Sequence, residues 1–106
     1  MRRTDRERLH DAVLHFDIAS AYAKEGPLDQ KSLDAICMRI AAGVDSLNSL
    51  SQELRDQLFG EEWYAMWGMR NRIAHTYARV EEEVVVATVH IDLPEIRLRI
   101  DRYLLS

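Results

Sequence analysis

Residues Val84 to Ile91 read VVVATVHI, and how this run folds decides the class of the whole chain. Its β-branched residues favour a strand by propensity. The alternation of a half-buried strand is missing, however, and no other segment of the 106 residues reads as a pairing partner. Glu81, Glu82 and Glu83 precede the run, and carboxylates there suit a helix start in solvent better than a metal site. A helix to about His90 is therefore predicted, then a break at Asp92-Leu93-Pro94 and a final helix. Pro94 fits the first turn of that helix, where its missing donor would be unpaired anyway.

Outward from this run, turn signals at EGPLD (25–29) and Phe59-Gly60 divide the remainder into helical blocks. The first spans about Thr4 to Lys24, with Thr4 and Glu7 as a capping box. Its apolar line is predicted as Leu9, Val13, Phe16 and Ser20, widened by Leu14, Ile18 and Ala21. The second runs from about Asp29 to Ser51, its stripe formed by Leu33, Ile36, Cys37, Ile40, Val44 and Leu47. Gly43 within it marks the close approach of a neighbouring helix. A short helix from Gln52 to Phe59 follows, and then a helix begins at Glu61-Glu62 and carries on to Val80. The expected fold is all-α: an antiparallel four-helix bundle with an extra short helix, forming one domain over residues 1–106.

The formal net charge of −4 argues against coating nucleic acid by bulk electrostatics, but leaves room for one local basic site. Cys37 is the single cysteine, so it forms no internal disulfide, and its place on the apolar stripe predicts a buried, inert thiol. There is no 18-residue apolar run for a membrane span, and MRRTDRERLHDAV lacks the apolar stretch of a signal peptide. The expected setting is the cytoplasm.

The local basic site is WGMRNRIAHTYARV, Trp67 to Val80. From Trp63 to Val80 there is no acidic residue, while Arg70, Arg72, His75 and Arg79 gather there. At about 100° per residue, Trp63, Met66, Met69, Ile73 and Val80 lie on the core-facing side, and Arg70 lies among them with Tyr77 about 20° away. Asn71, Arg72, His75 and Arg79 fall toward the opposite side. A guanidinium pointing where apolar residues point must meet a carboxylate, a groove or a second subunit. Asp45 and Asp17 are the candidate carboxylates within the chain, and a purely structural ion pair is one reading. Trp63, Met66 and Trp67, at helical spacing, are read as core or dimer interface rather than as a platform for nucleobases.

Arg70 and His75 diverge by about 140° on one helix. Two copies of the helix across a two-fold axis could close both side chains on one phosphate. Imidazole titrates near neutrality, so His75 suits general base or acid work on an RNA 2′-OH or leaving oxygen, with Arg70 stabilising phosphoryl charge. The histidines are scattered, and no His/Asp/Glu cluster has metal-ligand spacing. No metal or cofactor is expected.

Arg70-Asn71-Arg72-Ile73-Ala74-His75-Thr76-Tyr77 resembles the R-x4-H-x-Y signature of HEPN-domain proteins, specifically the HepT-like toxins. Glu62 to Met69 resembles that family's tryptophan-to-GMRN approach, and Ile91-Asp92-Leu93-Pro94-Glu95 its closing turn. The resemblance covers nearly the whole chain. It implies a dimeric helical bundle acting as a metal-independent ribonuclease on RNA, with Arg70 and His75 as the catalytic pair. Asn71 and Arg72 would support the phosphate or the motif geometry, and Asp45, in Ala42-Gly43-Val44-Asp45, would orient Arg70. It also implies a partner, an MntA-like minimal nucleotidyltransferase antitoxin that transfers AMP from ATP to Tyr77. A non-catalytic module that only binds such a nucleotidyltransferase is the alternative.

Overall fold

The computed structural model describes residues 4–75 and 81–106, and all regular structure among them is helical. Helix α1 spans Asp5–Lys24, α2 Gln30–Asn48, α3 Gln52–Phe59 and α4 Glu62–His75. The closing helix is α5, Glu82–Ala87, continued through a π-helical segment at Thr88–Asp92 into α6, Leu93–Leu105.

Local chemistry sets the boundaries. Thr4 Oγ1 accepts from the Glu7 N–H at 3.1 Å, starting α1. Gly26, at φ 145°, turns the chain out of α1, and Asp29 then caps α2 by accepting from the Ser32 N–H at 2.8 Å. Ser51 caps α3 and also donates its N–H and hydroxyl to Asp5, at 3.1 and 2.9 Å. Gly60, at φ 55°, closes α3.

The Asp29 cap makes a testable prediction. The backbone N–H of Ser32, followed by its hydroxyl, holds the Asp29 carboxyl below its ordinary 3.8. A depressed native value contributes stability above the unfolded value, and this is lost as pH falls through the native one. Asp29→Ala is expected to lower Tm at pH 7, with the difference from wild type shrinking below pH 3.8. Asp29→Asn, which caps without titrating, should keep more of the neutral-pH Tm and lack that acid dependence. Thermal unfolding followed by circular dichroism across this range checks both.

Helices α1 and α2 pack as an antiparallel hairpin. Asp5 meets Ser51, Arg8 donates to the Ser49 carbonyl, and Phe16 lies against Gly43, so numbers fall on one helix as they rise on the other. A Cβ built on Gly43 would sit 2.3 Å from Phe16 Cε1, closer than any real contact, so only glycine admits the ring here. The core joins Leu9, Ala12, Phe16 and Ala19 of α1 to Ile36, Ile40, Val44 and Leu47 of α2. Leu50, Leu54, Phe59, Trp63, Val85, Val89, Leu93 and Ile100 complete it.

Two expectations are corrected. The buried line of α1 is Leu9, Ala12, Phe16 and Ala19, while Leu14 is 57% exposed and Ala21 is at the surface. The tight hairpin is the reason: where α2 comes close, small side chains are enclosed and longer ones are displaced to the margin. The expected break at Asp92-Leu93-Pro94 is also absent. The Leu93 N–H reaches five residues back to the Thr88 carbonyl, and the helix passes through. A proline ring crowds the carbonyl four residues before it, here that of His90, and a widened turn relieves that crowding without ending the helix. The buried Thr88 hydroxyl is satisfied by the Val84 carbonyl at 2.9 Å.

Arg99 locks α6 to the α3–α4 corner. It donates to Glu62 at 2.9 Å, to Glu95 at 3.3 Å and to the Leu58 carbonyl at 3.3 Å. Burial, first, and then the Asp34 charge push the Cys37 thiol upward, which favours the unreactive protonated form.

Candidate active site

Helix α4 leaves the Gly60 turn with Trp63 buried, and its Met66, Trp67 and Ile73 are partly buried against the core. Trp63 packs on Phe59, with ring centroids 6.3 Å apart, and stacks on Trp67 at 5.9 Å and 23°. One turn further, Arg70 Cζ lies 5.0 Å from the Trp67 ring centroid.

Arg70 Nε donates to Asp45 Oδ1 at 2.6 Å, and Nη2 faces Oδ2 at 3.4 Å. Nη1 donates to Asn71 Oδ1 at 3.3 Å. Of the two candidate carboxylates, Asp45 meets Arg70, whereas Asp17 pairs with Arg97, which also holds Asp101 at 3.2 Å. The Arg70 and Asp45 side chains are 26% and 48% exposed. The expected burial of Arg70 among apolar residues is therefore corrected. Its stem follows the core edge, and its head reaches a carboxylate in contact with water. Such a pair contributes at most about 1 kcal/mol to stability, and it carries no large desolvation cost.

The pairing has a chemical consequence. A guanidinium has five N–H groups in a planar fork. Asp45 takes the edge made by Nε and Nη2, and Asn71 takes one hydrogen of Nη1. Among the described residues this leaves one N–H on each terminal nitrogen uncommitted.

His75 is exposed and is the last residue of α4; Arg72, also exposed, precedes it by three residues. Arg72 and His75 lie in the last described turn of α4. Asn71 is half-buried beside Arg70. Tyr77, the expected AMP acceptor, and Arg79 and Val80 lie outside the described residues. No group of three or more His, Cys, Asp or Glu side chains that could hold a metal ion occurs among the described residues.

A groove of about 410 Å³ lies elsewhere, floored by Phe16, Ile40 and Val44 and walled by Met66, Met69 and Leu93. Its rim carries Glu62, Asp92 and Glu95, so it is chemically unsuited to a polyanion.

A family model described as "Ribonuclease HepT-like" matches residues 8–103, from the first turns of α1 almost to the end of α6. The chain belongs to the HepT-like ribonuclease family. No curated protein and no solved structure matches it. The helices of this HepT-like chain form the HEPN helical fold, with α1, α2, α4 and the α5–α6 helix as its long members and α3 as the short one. No described helix of this HepT-like chain is long and apolar enough to cross a membrane.

Sequence reasoning assigned Trp67 to core or interface and missed its contact with Arg70. A signal was present. Trp63 to Trp67 is a four-residue step and Trp67 to Arg70 a three-residue step, the two spacings that bring side chains together on a helix.

Proposed function

We propose that this HepT-like chain is a metal-independent endoribonuclease toxin with an active site formed across a homodimer. In this reading Arg70 and His75 of each copy face one RNA phosphate. One His75 takes the proton from a 2′-OH as that oxygen bonds to the adjacent phosphorus. The P–O5′ bond breaks, and the second His75 gives a proton to the departing oxygen, leaving a cyclic phosphate and a 5′-OH. Arg70 carries the charge that develops on the phosphoryl oxygens. The observation that carries the reading is the Arg70–Asp45 pair, which holds the guanidinium by one edge and leaves N–H groups for a phosphate. Asn71 and Arg72 support it, the first by accepting from Arg70 and the second by adding positive charge to an acid-free stretch of a chain whose net charge is −4.

Control is assigned to an MntA-like minimal nucleotidyltransferase antitoxin acting on Tyr77, two residues beyond His75. AMP on that phenol adds an anion that competes for Arg70 and a nucleoside that obstructs the RNA. Both proteins would act in the cytoplasm. The second reading is a non-catalytic module that only binds the nucleotidyltransferase. The engagement of Arg70 with Asp45, Asn71 and Trp67 favours it, because a guanidinium held this way also serves as a structural tie.

The deciding experiment incubates the protein with ATP, Mg²⁺ and the nucleotidyltransferase, then measures intact mass and RNA cleavage on the same samples. Mass steps of AMP that vanish in Tyr77→Phe, with cleavage falling as they accumulate, are expected. AMP addition to a protein that never cuts RNA would select the binding module.

A further inference from the structure

We infer that Trp67 is a positioning residue for Arg70, and that a stacked series Arg55–Trp63–Trp67–Arg70 sets the tilt of the guanidinium. The kinetic part of this inference rests on the ribonuclease reading; the structural part does not.

Asp45 grips Arg70 along a single edge, 2.6 Å from Nε and 3.4 Å from Nη2. That edge, with one long hydrogen bond from Nη1 to Asn71 Oδ1 at 3.3 Å, holds the guanidinium by its rim, and neither contact supports its face. The Trp67 ring, 5.0 Å from Arg70 Cζ, gives the plane a face to rest against, since the negative face of an indole attracts a cation. Arginine uses such a surface better than lysine, because its charge is flat and weakly hydrated.

Trp67 supports Arg70 only if it is itself held. It stacks on Trp63, which is 7% exposed and packs on Phe59. Arg55 of α3 lies over the same Trp63 ring, with Cζ 5.1 Å from the centroid, and its Nη1 donates to the Asn48 carbonyl at 3.2 Å. Arg55 Nε is buried and has no hydrogen-bond partner. An N–H left without an acceptor is costly. Its presence here marks a guanidinium placed by the indole face rather than by a full set of acceptors. The two ends of the series are thus equivalent in chemistry, an arginine on a tryptophan. One end is anchored in the α3 corner, and the other presents Arg70.

The test reads the Arg70 Nε–H directly. In a ¹H–¹⁵N spectrum of arginine side chains, the Arg70 signal is identified by its absence in Arg70→Lys. Trp67→Leu keeps an apolar side chain and removes the ring face; Trp67→Phe keeps a smaller face. Loss of the protected Nε–H signal in Trp67→Leu, and its retention in Trp67→Phe, is the expected result. With RNA as substrate, kcat of Trp67→Leu should fall about tenfold or more with KM little changed, and Trp67→Phe should recover most of it. Should Trp67→Leu lose helix content, Trp67→Met is read in its place. An Nε–H signal unchanged on removal of the ring overturns the inference, whatever the kinetics. Failure of the unsubstituted protein to cut RNA overturns the ribonuclease reading instead, and the spectrum alone then decides the role of Trp67.

Discussion

If the proposed ribonuclease reading holds, Arg70→Ala should cut RNA at least a hundred times more slowly than the unsubstituted protein while its helical circular dichroism stays intact. The two halves of this expectation have separate origins. The Arg70 and Asp45 side chains are both partly in water, so losing the pair changes stability by about 1 kcal/mol or less. A donor aimed at developing charge is worth far more to the reaction, about 10²–10³ in rate for a single group. Arg70→Lys is the sharper control. It keeps the charge, but it cannot grip Asp45 by one edge and offer a second edge to phosphate. Most of the loss should therefore persist in Arg70→Lys. His75→Ala should lose a comparable factor, about 10²–10⁴, and as an exposed residue at a helix end should shift stability by no more than about 0.5 kcal/mol. Pure Arg70→Ala protein that cleaves at the normal rate would remove Arg70 from the chemistry.

The largest effects on stability are expected where α1 crosses α2. Phe16 is 2% exposed and its ring occupies the space a Cβ on Gly43 would need, with Cε1 at 2.3 Å and Cδ1 and Cζ at 2.7 Å. Gly43→Ala gains up to about 1 kcal/mol in helix propensity. Against that, forcing extra volume into a packed core costs about 1–3 kcal/mol, and with Cε1 at 2.3 Å the ring must shift before a methyl fits. The clash wins, and Gly43→Ala should lower Tm. Phe16→Ala should cost about 3–5 kcal/mol by emptying the same space. The decisive measurement is the double variant Gly43→Ala with Phe16→Leu. If the clash is the cause, the added methyl should cost clearly less beside leucine than beside phenylalanine, a coupling that chemical denaturation resolves. Equal costs in both backgrounds would locate the destabilisation elsewhere.

Much of this bundle was legible from local chemistry. Asp29 announces a helix start, Gly26-Pro27 and Gly60 announce ends, and α3 falls at Gln52–Phe59 as the pattern predicts, whereas the Ser51 cap is seen only in the fold. The valine run folds as helix, and no strand for it to pair with occurs among the described residues. What was not legible depends on neighbours. Ala12 and Ala19 are buried because α2 comes close over Gly43, whereas a count of large apolar residues selects Leu14 and Ile18 instead. The carboxylate that Arg70 would choose was undecidable, because it turns on Asp17 being taken by Arg97, eighty positions away. The wheel placed Arg70 on the core side correctly but could not show a long side chain bending back out to water. Arg70, Asn71, Asp45 and Trp67 are together in the fold, and of these only Trp67 was read as mere packing.

The π-helical segment at Thr88–Asp92 works as a phase corrector. Val85, Val89 and Leu93 are buried at steps of four residues, while an α-helix turns in 3.6, so each step carries the apolar line about 40° off course. One wide turn absorbs this drift, so Ile100 still faces inward and Arg99 still meets Glu62 and Leu58. The aim of the last helix is thus stored in a single residue's worth of extra backbone, upstream of every contact it governs.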